Sequence, residues 1–82
     1  MISRESLLDF IIRRLAEQQI QVNPDDDLLT GGQVDSIAMM RLITEIEAEL
    51  GTKVPPDALV PENFLTPRVM AGFLANLERN RG

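Results

Sequence analysis

No cysteine, histidine, tryptophan or tyrosine occurs anywhere in this chain of 82 residues. Without cysteine there are no disulfides and no thiolate metal sites. A domain near the lower size limit for unaided folding must then be held together by packing. Without histidine the commonest general base is missing. Long hydrophobic runs are absent too. The N-terminal apolar stretch is broken by Asp9, Arg13 and Arg14, which leaves it too short for a membrane span and unlike a signal peptide. These absences lead us to expect a cytoplasmic protein with no membrane partner. Positive charge is scarce, and a formal net charge of −5 argues against a nucleic-acid binder, which must neutralise phosphates.

What is present reads as one folded domain over residues 1–82. The apolar share of 44% is that of a globular chain, and no repeats or low-complexity tracts interrupt it. Charge is unevenly placed. Asp25, Asp26 and Asp27 contribute −3. Asp35, Glu45, Glu47 and Glu49 against Arg41 contribute another −3, while the last seventeen residues carry +2. An acidic middle suits partners with basic docking surfaces, and it serves equally to keep a small protein soluble.

Ser3 is placed to cap a first helix that runs to about Gln19, with Leu7, Leu8, Ile11, Ile12 and Leu15 on one face. Asn23-Pro24 ends any helix. A loop of about fifteen residues follows from Ile20 to Val34, and Leu28, Leu29 and Val34 are expected to pin it to the core. Asp25-Asp26-Asp27 invites a calcium reading, but the spacing fails. Counting from Asp25, the sixth place is Thr30 where a glycine is needed, and the twelfth is Ser36 where a glutamate is needed. A solvated acidic turn is the better account, and no metal site is expected.

The second helix is expected to start at Asp35 as N-cap and to run to about Leu50, with Gly51 just past its end. Met39, Leu42, Ile43, Ile46 and Leu50 form its core face. Ile37, Met40 and Thr44 fall on another face, with Arg41 and Ala48 beside them. Because Ile37 and Met40 lie within about one turn of Ser36, we read them as an exposed apolar strip that a partner covers. Val54-Pro55-Pro56 excludes helix, and Pro61-Glu62-Asn63-Phe64 leaves room for one short turn. Thr66-Pro67 opens a last helix, expected to bury Val69, Met70, Phe73, Leu74 and Leu77. Gly72 on this helix can allow a neighbouring helix to approach closely, and Asn80-Arg81-Gly82 should fray. No stretch reads as a strand.

Ser36 is the residue on which function turns. A serine hydrolase needs a base in reach, and the only lysine, Lys53, stands past the far end of the second helix, on the order of 20 Å away. Paired-carboxylate hydrolysis needs a cleft that so small a bundle has little room for. No autonomous catalysis is expected, so no catalytic residue is assigned. At a helix N-terminus, however, a phosphate ester on Ser36 would meet unpaired N–H groups and the positive end of the helix dipole. Asp35 caps the helix and can help hold a divalent ion while another enzyme transfers the phosphate group. Taken alone, Asp-Ser is simply a good helix start.

Leu28, Gly32, Asp35-Ser36-Ile37, the apolar spacing through Leu50, Gly51, Val54-Pro55 and Pro61-Glu62-Asn63-Phe64 together make the chain resemble the acyl and peptidyl carrier proteins, in order and spacing over nearly its whole length. That resemblance implies an all-α, small four-helix bundle of three main helices and one short one. It also implies that Ser36 receives 4′-phosphopantetheine from coenzyme A through a magnesium-dependent phosphopantetheinyl transferase, with Asp35 as the motif aspartate. The arm's thiol then carries cargo as a thioester, loaded by an adenylation enzyme (ligase) or acyltransferase and passed to a downstream synthase or transferase. A monomer with Ile37, Met40, Arg41, Thr44 and Glu47 as partner-binding residues is expected.

Departures from the fatty-acid-synthesis pattern indicate the branch. Gln33 stands three before the serine where that branch has glycine, and Gly32 lies four before. Ala38 and Arg41 occupy places where it tends to have acids, although Glu47 remains. The Leu-x-x-x-Gly-x-x-Asp-Ser spacing looks more like free-standing carriers, either D-alanyl carriers or discrete carriers of polyketide and nonribosomal peptide biosynthesis. Seven arginines against one lysine hint at a GC-rich genome and favour the natural-product branch. A start methionine on a chain of one domain's length reads as a discrete carrier. The reading from another class is a small helical interaction module with no prosthetic group.

Overall fold

In the computed structural model, which describes residues 2–80 and gives residues 79 and 80 as backbone alone, local capping sets the helices. Ser3 caps α1 (Arg4–Glu17) by accepting the Ser6 amide at 3.0 Å. Asp35 caps α2 (Ser36–Leu50), which ends on Gly51 in the left-handed region at φ 69°. Thr66 caps α3 (Pro67–Asn80), its hydroxyl accepting the Val69 amide at 3.0 Å. α1 ends where Ile20 N donates to the Leu15 carbonyl at 2.9 Å, which forces Gln19 to a φ of 65°. The expected fraying of Arg81 and Gly82 lies outside the described residues.

The fourth helix of the expected bundle is not α-helical. Two 3₁₀ turns, Pro56–Ala58 and Pro61–Asn63, take its place, and the described residues contain no strand. The first of these turns corrects the exclusion of helix after Val54. A proline in a first turn has no N–H that the turn requires, so Ala58 N can still donate to the Pro55 carbonyl at 2.9 Å.

The core is centred where α1 packs on α3. Leu7, Ile11 and Leu15 of α1 and Met70 and Leu74 of α3 are fully buried, with Leu42 and Ile46 of α2 closing over them. Phe64 and Phe73 meet edge to face at 5.8 Å. Some expected core positions differ. Val69 and Leu29 are exposed at 42% and 39%, whereas Ala38, Ala71, Ala75 and Val22 are buried. On α3 the small side chains Ala71 and Ala75 hold the packed face, which rotates Val69 outward. Gly72 faces the first residue of α1, but a Cβ there would meet the Arg4 side chain at 3.8 Å, an ordinary contact that does not require a glycine.

The loop from α1 to α2 is tied down over its length. Leu28 N donates to the Leu65 carbonyl at 2.8 Å, and Arg68 N to the Pro24 carbonyl at 2.9 Å. The three aspartates that resembled a calcium loop serve separate tasks. Asp25 pairs with Arg68 through two contacts of 2.7 and 3.3 Å. Asp26 accepts the Asn23 amide at 2.8 Å. Asp27 accepts the amides of Leu29 and Thr30 and the Thr30 hydroxyl. The acidic turn is solvated, as expected, with Asp25 and Asp27 exposed, and its carboxylates also brace the loop.

Candidate functional site

α2 begins with an extended Asp35 whose Oδ1 accepts the Ala38 amide at 2.8 Å. The next residue, Ser36, is therefore the first helical position, and it is exposed. Its hydroxyl makes no hydrogen bond among the described residues, so no general base is aligned to activate it. The amides of the first turn point out past it, as they must at any helix start. A phosphate ester on this oxygen fits these surroundings, with the helix dipole favouring negative charge there.

Beside the serine runs an open groove of about 600 Å³. Leu29, Gly32 and Val34 form its loop wall. Ser36, Met39, Met40 and Ile43 form the α2 side, and Leu59, Pro61 and Phe64 of the proline-rich turns close it. Gly32 has a φ of +74°, and a Cβ on it would meet nothing within 4 Å. It is there for the backbone turn and not for room. The groove was not foreseen, because its third wall lies more than twenty residues from the serine in sequence. The signal available for it was Leu59-Val60, two hydrophobes placed among prolines where nothing requires them.

The residues expected to meet partners fall into two groups. Ile37 and Met40 stand out at 71% and 54% exposure, and Arg41 is exposed on the same side of α2. Thr44 and Glu47 are engaged. The Thr44 hydroxyl donates to the Met40 carbonyl at 2.9 Å. Glu47 Oε2 accepts the Val54 amide at 2.9 Å, and Lys53 lies 3.8 Å from Oε1. Glu47 thus fastens the segment after α2 to the helix. Ala38, where an acid was the alternative, is 8% exposed, and its carbonyl accepts Gln18 Nε2 at 3.3 Å. Packing against the end of α1 accounts for a small side chain there.

Two aspartates of the loop carry shifted pKa values. Asp25 is held below its ordinary pKa by the Arg68 hydrogen bond, and Arg68 is raised in turn. Asp27 is lowered by the two amides and the hydroxyl that it accepts. Among the described residues no cluster of three or more acidic, histidine or cysteine side chains could hold a metal, and no helix is long and apolar enough to cross a membrane.

Residues 5–74 match the family model described as phosphopantetheine attachment site. No curated protein matches the chain.

Proposed function

This chain belongs to the phosphopantetheine attachment-site family, and we propose that within it Ser36 is the attachment point of a free-standing acyl or aminoacyl carrier. Proteins of this family are carriers and not catalysts. They hold 4′-phosphopantetheine covalently on a serine, and they meet a phosphopantetheinyl transferase and the enzymes that load and unload the arm. The observation that supports Ser36 is its place as the exposed, unengaged first residue of α2. In the transfer its Oγ loses a proton and attacks the pantetheine-side phosphorus of coenzyme A. The pyrophosphate P–O bond breaks, phosphopantetheine stays on the serine as a phosphodiester, and adenosine 3′,5′-bisphosphate leaves. Asp35 keeps the helix end in shape, and its Oδ2, free of hydrogen bonds among the described residues, stands ready to share the transferase's divalent ion. When attached, the arm supplies the thiol that the chain itself lacks.

Polyketide or nonribosomal peptide biosynthesis is the pathway class that we assign. The Leu28-x-x-x-Gly32-x-x-Asp35-Ser36 spacing, the buried Ala38 and the cationic Arg41 point away from the fatty-acid branch, and seven arginines against one lysine favour this class over D-alanyl carriage. Incubation with coenzyme A, magnesium and a promiscuous phosphopantetheinyl transferase should add one phosphopantetheinyl mass, and Ser36→Ala should abolish the gain. A wild type left unmodified by several transferases would sink the assignment, as would a Ser36→Ala chain that still gains the mass. The thioester mass on protein from the native host reads out the cargo, and an alanyl increment there would assign D-alanyl carriage instead.

A further inference from the structure

The carrier reading leaves open what a docking enzyme must present to this chain, and α2 carries an answer that rests on that reading. Ser36, Ile37, Met40, Arg41, Thr44 and Glu47 share the outward side of the helix, opposite Leu42 and Ile46. In sequence the charges on that side balance, Arg41 against Glu47. In the structure they do not. The Glu47 side chain is 18% exposed and its carboxylate is occupied by the Val54 amide, with Lys53 beside it. Glu45, four residues after Arg41, is its natural partner along the helix. Its Oε1 is instead buried without a hydrogen-bond donor, and no ion pair joins the two. Arg41 makes no ion pair with any described residue. The face beside Ser36 is therefore an apolar strip with one uncompensated cation.

We propose that the phosphopantetheinyl transferase serving this chain docks across Ile37, Met40 and Arg41 and sets a carboxylate against the Arg41 guanidinium. An enzyme that reaches Ser36 Oγ has to cover this strip, since Ile37 and Met40 lie within about one helical turn of it. A guanidinium fits a carboxylate through two parallel hydrogen bonds, and apolar neighbours that exclude water strengthen the pair. The acidic middle of the chain suggests basic partners, but at this face the required sign is the opposite.

The test is steady-state arm transfer by the transferase of the protein's own host at low and high salt, with wild type, Arg41→Lys, Arg41→Ala and Arg41→Glu. Wild-type kcat/KM should fall as salt rises, and Arg41→Ala should be lower and nearly salt-independent. Arg41→Glu should be lower by about tenfold and should recover with salt, because salt then screens a repulsion. Arg41→Lys should keep part of the rate. Melting temperatures should stay within a degree or so of wild type, since the position is exposed. Equal kcat/KM for wild type and Arg41→Glu overturns the proposal, as does a wild-type rate that rises with salt. A dimer in light scattering that Arg41→Glu dissociates would give the face to a second copy and overturn it as well. Failure of every transferase to modify the wild type removes the carrier reading itself. Modification that is indifferent to Arg41 removes only the charge assignment.

Discussion

Ser36 owes its position to its neighbour. Asp35 stops the extended loop and captures the Ala38 amide, so the following side chain must project from the first turn. Single side chains also set the acid response. Asp25 and Asp27 both have pKa values lowered from 3.8, so each stabilises the fold above that value. Each loses its contribution as pH falls through its lower folded pKa, so the stabilisation from these two carboxylates is lost below about pH 4. Carboxyl NMR titration of Arg68→Ala should return Asp25 toward 3.8 while leaving Asp27 depressed, because Asp27 is held by Leu29 and Thr30 and not by the arginine. If both aspartates moved together, the separate roles drawn for them would be wrong. None of this was readable from Asp25-Asp26-Asp27, since the residue that engages Asp25 lies 43 positions away.

At the scale of elements, what was legible in the sequence was what neighbours in the chain decide. Ser3, Asp35 and Thr66-Pro67 mark the three helix starts because a cap acts within three residues. Gly51 marks an end for the same reason. Less legible was which face each helix buries. Large hydrophobes announce themselves, whereas Ala38, Ala71 and Ala75 are buried because another helix happens to come close. The two 3₁₀ turns were half legible, as prolines show where an α-helix stops but not that a tighter turn survives. The end of α1 holds a correctable flaw. Gln19 sits at φ 65° in a place where glycine costs nothing sterically. Gln19→Gly should stabilise the protein by roughly 0.5–1 kcal/mol, read as a raised urea midpoint with an unchanged slope. A lowered midpoint would mean that the side chain contributes more than the strain costs.

For the whole molecule, the core is one cluster built largely on α1 and α3, with no covalent staple behind it. A domain of this size has a stability near the lower end of about 5–15 kcal/mol. Leu74 is fully buried in that cluster, and Leu74→Ala should cost about 2–5 kcal/mol. Chemical denaturation should then show a substantial population unfolded in mild urea, where the wild type remains native. A loss below 1 kcal/mol would mean that the cluster repacks freely. The groove is also a property of the whole molecule. Its three walls come from three stretches of chain, which is why the serine was legible in the sequence and the space beside it was not.

Two of those walls are not α-helical, and the Leu28 N–H bonded to the Leu65 carbonyl rivets the segment of one to the segment of the other. The mouth beside Ser36 thus has an aperture set from behind. A chain that altered how residues 28 and 65 meet would widen or narrow that aperture with every lining side chain left in place. Selection acting on what fits beside the serine therefore has a tuning screw at two residues that are not among those lining the groove.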